Sequence, residues 1–249
     1  MLHRYLAGGL GFFILAIAIL AWRRLSPARR VLPGVLLALL LLQAMLGMWT
    51  VTQQLKPMIV AAHLLGGMST LAVLAWLLWR DQSDRVRSPT PAESPSRLTF
   101  ALARGVLLLV LAQIALGGWV SANHAALVCP DLPTCQGVWW PAADFVAGFS
   151  LWHPLDGLSI GALTAIHQLH RLGALLVLAG ALLLAARLAR ISGAAALAVL
   201  AIAGTQSLLG AANVLLGLPL AVAVAHNAGA ACLLLCLVWV NVRFAGRSS

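Results

Sequence analysis

The chain has 249 residues, 62% of them hydrophobic and 9% charged, with a mean hydropathy of +0.97. A soluble domain carries about 25% charged residues, so this composition excludes an ordinary soluble fold and predicts an all-α integral membrane protein. The net charge of +10 forms no continuous basic patch with interleaved aromatics, which argues against a nucleic-acid surface, and four cysteines are too few for a disulfide scaffold.

A membrane-spanning helix takes about 20 apolar residues. Seven stretches qualify in chain order: 3–22, 32–51, 58–79, 102–122, 162–186, 194–216 and 219–242. Between them lie RRLSPARR (23–30), TQQLKP after the second stretch, a Pro/Ser/Arg-rich linker, the long 123–161 segment, the RLAR turn (187–190) and the tail RFAGRSS. All the Lys and Arg residues except Arg4, Lys56 and Arg171 fall in alternate connections. The positive-inside rule therefore places those connections, and the C-terminus, in the cytoplasm. TQQLKP and 123–161 then face outward. Three units follow: an N-terminal helical bundle over 1–79, a cytoplasmic linker over 80–101, and a four-helix bundle over 102–249.

The chain repeats itself. HRYLAG at His3, QAMLG at Gln43 and AAHLLGG at His63 return as HRLGAL at His170, QSLLG at Gln206 and VAHNAGA at His226. Each half sets its Gln 20 residues before its second His. The second half has an extra leading helix, 102–122, with QIALG at Gln113. A full four-plus-four repeat places one more helix and one more outer loop ahead of residue 1, so the chain is expected to start short of that helix.

His3, His63, His170 and His226 lie in apolar segments, each within about two turns of the outer end. Ionisable groups there default to a functional reading. Neutral imidazole is an axial ligand to haem iron, and two from facing helices clamp one haem. Two pairs, one in each half, predict two haem sites. The plainer alternative is a hydrogen bond from each His to a neighbouring helix. Glycines beside the histidines (Gly8, Gly9, Gly66, Gly67, Gly173, Gly229) let a helix approach a flat porphyrin, or serve ordinary small-residue packing. Arg4 and Arg171 each follow a histidine and stand as propionate partners or as snorkelling side chains. Gln43, Gln113 and Gln206 are expected to make interhelical hydrogen bonds. His167 is given a supporting role or an outer polar contact, and His124 and His153 are expected in solvent. Cys129 and Cys135 face an oxidising compartment and suit a disulfide. Their spacing does not match a zinc site. Trp139, Trp140 and Trp152 suit an aromatic belt on a loop that covers a haem pocket, and Cys232 and Cys236 are read as packing.

HRYLAG, AAHLLGG, ALGGWVSANHAALVCPDLPTCQG and IHQLHRLGALLV resemble the haem A synthase family across essentially the whole chain. The resemblance implies two pseudo-symmetric four-helix bundles. It implies that His170 and His226 hold a haem b cofactor through its iron, and that His3 and His63 line the site for haem O, as catalytic residues. The implied reaction oxidises a methyl group of haem O to a formyl group and supplies haem A to terminal oxidases in a bacterial inner membrane. Implied partners are the lipid bilayer, a haem O synthase and an electron donor; a homo-oligomer is left open and nucleic acid is not expected. The family motif carries a Glu three residues before its first His, a position ahead of Met1 here. A chain that truly starts at Met1 is expected to keep haem b in its second half and to lose the oxidation. The rival readings are a non-enzymatic bis-His di-haem cytochrome and, more remotely, a transporter built on a repeat.

Overall fold

Residues 2–85, 96–151 and 157–244 are described in the computed structural model; Trp152, His153 and the tail from residue 245 lie outside them. Seven long helices follow in order: α1 (Leu2–Arg24), α2 (Val31–Thr52), α3 (Pro57–Arg85), α4 (Arg97–Ala122), then, after a four-residue helix α5 (Phe145–Gly148), α6 (Ile160–Leu188), α7 (Gly193–Leu215) and α8 (Leu220–Arg243). All seven are long and apolar enough to cross a membrane, and the chain is a multi-pass membrane protein. In hydrocarbon every backbone N–H and C=O has to be satisfied within its own segment, and a helix does this.

The helices run longer than the apolar stretches that announce them. The α3 helix continues to Arg85, while only Pro57–Asp81 is apolar enough to span. The α4 helix starts at Arg97, inside the expected linker, because the Ser96 hydroxyl caps it by accepting from Thr99 N–H at 3.2 Å. Ser159 and Ser192 cap α6 and α7 in the same way. A serine hydroxyl satisfies one of the free N–H groups at a helix start, and hydropathy does not register it.

The repeat is built into the backbone. Gln54 and Leu55 after α2, and Gly217 and Leu218 after α7, are consecutive left-handed residues with φ of 51°, 59°, 70° and 62°. In both turns the second residue's N–H reaches back five positions, Leu55 to the Thr50 carbonyl at 2.9 Å and Leu218 to Asn213 at 2.7 Å. Left-handed backbone is uncomfortable for leucine, so its use at the same register twice marks one design carried out twice.

Helices α4, α6, α7 and α8 close a ring in that order, so α6 and α8 stand diagonally across it. The α3 helix packs on α8 and α4 and joins the halves; α2 packs on α3, and α1 on α2. Val106, Val110, Leu184, Val199, Leu234 and Leu237 fill the centre. Ala103, Ala181, Ala195 and Ala203, all buried, allow close helix approach, as packing in lipid requires. Asn241 Nδ2 crosses from α8 to donate to the Ala103 carbonyl of α4 at 3.1 Å. Outward-facing Phe12, Phe13, Leu175 and Leu208 are exposed, as suits a surface solvated by lipid.

Candidate functional site

The four histidines lie on α1, α3, α6 and α8. His3, His63 and His226 stand within two turns of their helix starts at Leu2, Pro57 and Leu220. His170 departs from the expected depth: it lies ten positions past Ile160, because α6 starts a turn earlier, where Ala165 and Ile166 pack beneath the loop that joins it to α4. The facing helices keep one register. Gln43, Gln113 and Gln206 each stand nine positions before the last residue of their helix, at Thr52, Ala122 and Leu215.

Three helix pairs share one reciprocal contact. Each glutamine belongs to a Q-x2-L-G turn and each facing histidine to an H-x2-G turn. The His63 ring lies on Gly47, where an added Cβ would stand 3.3 Å from Cε1; His170 lies on Gly117 and His226 on Gly210, each at 3.2 Å. In return, a Cβ at Gly66, Gly173 or Gly229 would collide with the amide of Gln43, Gln113 or Gln206. One glycine clears space for the ring and the other for the amide. Gln113 Nε2 donates to the His170 carbonyl at 2.8 Å and lies 3.0 Å from His170 Nδ1. Gln206 Nε2 lies 3.4 Å from His226 Nε2. The interhelical hydrogen bonds expected of the glutamines are thus present at Gln113 and Gln206, and the partner in each case is the histidine itself. His3 is followed at the third position by Leu6 rather than glycine.

The ring nitrogens are open to a ligand. His63 Nδ1 and His226 Nδ1 are buried without a hydrogen-bond partner, a costly state for a polar atom unless something satisfies it. The His3 and His63 rings are 6.5 Å apart between centroids, at 88°. His170 and His226 come from the diagonally opposed helices α6 and α8. Among the described residues no three His, Cys, Asp or Glu gather to hold a bare metal ion. A haem brings its own equatorial nitrogens and asks the protein only for axial ligands. His63, His170 and His226, each lying on a glycine of the neighbouring helix, with His3 beside His63, fit that demand.

Above the second bundle the outer loop is tied down at several points. Cys129 and Cys135 are joined, with Cα atoms 4.5 Å apart, and both are fully buried. Arg171 Nη1 donates to the Thr134 carbonyl at 2.8 Å, and Nη2 to Cys129 and Asp131, each at 2.9 Å; Nε is buried without a partner. This loop-holding role was invisible in the sequence, which offered only propionate binding or snorkelling. Arg4 is exposed near the start of α1. The Thr134 hydroxyl donates to the Asp131 carboxylate, which also accepts Gln136 N–H at 2.7 Å and Gly137 N–H at 3.0 Å. The first of these contacts, aided by the other two, holds the Asp131 carboxyl below its usual range. Trp119 Nε1 donates to the Gly148 carbonyl at 2.9 Å, pinning α5 to the end of α4. His167 is buried, with Nδ1 lacking a hydrogen-bond partner, while His124 is exposed in a left-handed turn with φ 56°. Trp139 and Trp140 are 73% and 69% exposed, as an interfacial belt requires. Cys232 and Cys236 are free thiols on α8.

Residues 1–238 match the family model COX15-CtaA, described as cytochrome oxidase assembly protein. A haem A synthase of Shewanella oneidensis is 41% identical over 250 residues, spanning 97% of this chain and 74% of that relative. Relatives of the same name from Rhizorhabdus wittichii and Sphingopyxis alaskensis are each 32% identical, over 96% and 91% of this chain and 69% and 64% of their own lengths.

Proposed function

The chain belongs to the COX15-CtaA family of cytochrome oxidase assembly proteins, and from that premise we propose that it is a haem A synthase: an oxidoreductase that converts a methyl group of haem O to the formyl group of haem A. The structural observation that carries this reading is three partly buried histidines, His63, His170 and His226, keyed by glycines to their neighbouring helices, with Nδ1 of His63 and of His226 left without a partner. His170 and His226 hold haem b between diagonal helices of the closed bundle. His3 and His63 line the place where haem O binds. The first half is the 1–79 unit and the second the 102–249 unit, joined by the 80–101 linker.

The side chains at this site cannot oxidise a methyl group unaided; the step removes four electrons and adds one oxygen atom, which bound haem iron would mediate with an external oxidant and oxygen source. The protein's own residues hold and orient. The histidines offer lone pairs from helices that packing makes rigid. Arg171 and the Cys129–Cys135 bridge fasten the outer loop over the second bundle, which keeps bulk water from that face. The site faces the outer side of a bacterial inner membrane, with the C-terminal end of α8 in the cytoplasm. An electron donor and a haem O synthase act beside it in the bilayer, and self-association is compatible with the exposed apolar faces.

The test is haem extraction and chromatography from membranes that co-express this chain with a haem O-producing enzyme. Haem A above the vector control is the expected result. Bound haem B with haem O unconverted would overturn the synthase assignment for this chain.

A further inference from the structure

The three glutamines stand at one register, face three histidines, and are each given space by a glycine that nothing else in the packing demands. A neutral imidazole carries a single N–H. A ring that gives one nitrogen's lone pair to iron therefore keeps its proton on the other nitrogen, and that proton needs an acceptor. A buried N–H without one is destabilising. In the α4/α6 and α7/α8 pairs the nearest side-chain amide is Gln113 or Gln206, and the oxygen of each, Oε1, is buried with no partner. The molecule thus holds an unused acceptor beside each ring.

We propose that Gln43, Gln113 and Gln206 are positioning residues for the haem-binding histidines, each accepting the ring N–H of the histidine it faces so that the opposite ring nitrogen is the one offered to iron. The proposal rests on the haem-binding reading of these histidines. In the structure Gln113 and Gln206 turn Nε2 to the ring and lay Oε1 against Gly173 and Gly229; Gln113 Nε2 also donates to the His170 carbonyl at 2.8 Å, a bond it gives up when Oε1 takes its place. Gln43 is reversed: its Nε2 lies against Gly66 and is buried without a partner. The same slot therefore accommodates both ends of the amide, and a half-turn about the broad terminal torsion of glutamine exchanges them. When Nε2 faces the ring, the ring nitrogen accepts and the proton sits on the far nitrogen, which then has no lone pair for iron. When Oε1 faces the ring, the near nitrogen keeps the proton and the far one ligates. His170 turns Nδ1 to its glutamine, which leaves Nε2 for iron, whereas His226 turns Nε2, which leaves Nδ1, a buried atom without a hydrogen-bond partner. The protein keeps the same single imidazole proton throughout, and only its location changes. Such outer partners fix the tautomer of a ligand histidine and raise its basicity.

Two substitutions separate this role from packing. Gln113→Glu keeps the outline of the side chain and presents a carboxylate, a stronger acceptor; Gln113→Leu keeps bulk and removes the acceptor. The full-length chain would be purified in detergent with its native haem, and the haem content, midpoint potential and low-temperature electron paramagnetic resonance g-values compared with wild type. A stronger pull on the ring N–H makes the imidazole a better donor to ferric iron, so Gln113→Glu is expected to lower the potential. Gln113→Leu is expected to raise it and to weaken haem retention about 10- to 100-fold. Gly173→Ala, which crowds the amide out of its slot, is expected to follow Gln113→Leu. Opposite shifts in two variants of equal bulk cannot come from altered packing. Haem-loaded wild type with unchanged potential and g-values in both Gln113 variants overturns this proposal alone. A wild-type chain that takes up no haem overturns the haem reading and this proposal with it.

Discussion

A histidine in an apolar helix is costly unless something satisfies its second nitrogen, and the four here divide by where that something comes from. His170 and His226 stand on diagonally opposed helices of a closed ring, whereas His63 lies beside His3. His170→Ala or His226→Ala is therefore expected to remove the b-type optical spectrum of purified protein. His63→Ala is expected to leave that spectrum and abolish haem A formation; equal loss of the spectrum in all three would contradict the division. Asp131 gives a prediction of a different kind. Its carboxyl is held below the ordinary value of 3.8, first by the Thr134 hydroxyl. A group whose folded pKa is depressed contributes stability that is present above the unfolded value and lost as pH falls through the folded one. The rate at which a phosphine reduces the Cys129–Cys135 bridge should therefore stay flat from neutral pH down to about 4 and rise only below it. Asp131→Asn should raise that rate at neutral pH. Loosening that sets in near pH 6 in the wild type would point to a histidine instead.

At the scale of helices, small residues decide who touches whom. Gly118 of α4 meets α3 so closely that an added Cβ would stand 3.0 Å from Leu64 Cδ2 and 3.5 Å from the Ala61 backbone. Backbone cannot yield as a side-chain tip can. Gly118→Leu is expected to lower stability by about 1–3 kcal/mol through overpacking, read as a fall in the thermal midpoint of the detergent-solubilised protein, with a larger loss of haem A formation than of haem b content. Unaltered melting would show that α3 and α4 have room to separate. Gly105 of the same helix meets nothing within 4 Å, so Gly105→Leu serves as the control. Pairing of α2 with α3, α4 with α6 and α7 with α8 follows one recipe, in which each helix offers a glycine to its partner's polar side chain.

For the molecule as a whole, charge sets orientation and small-residue packing sets assembly. Arg23, Arg24, Arg29, Arg30, Arg187 and Arg190 cluster in two of the connections, while the connection holding Gln54 and the long loop after α4 carry almost no positive charge. The positive-inside rule then places Arg190 in the cytoplasm and Gln54 outside. Alkaline phosphatase fused after Gln54 should be active in cells, and fused after Arg190 inactive; the reverse pattern would invert the topology and place the histidines at the cytoplasmic end. The Trp139 and Trp140 face fits the outer headgroup level in the first orientation.

Composition alone determined that this is a chain of spanning helices, because lipid admits few other structures and a run of apolar residues is its own signature. The repeat, the four histidines and the three glutamines were also legible, since each is a polar group where polar groups are expensive. The helix ends were less so: Ser96 and Ser159 extend α4 and α6 by capping, a single hydrogen bond that hydropathy cannot register. Only the tertiary structure decided that Arg171 holds carbonyls of the disulfide loop and that Gln113 and Gln206 each meet a histidine in a slot made by two glycines. Those contacts join residues as far apart as Gln113 and His170. Chain order records that such residues exist, and helix packing alone determines which of them come within a hydrogen bond of one another.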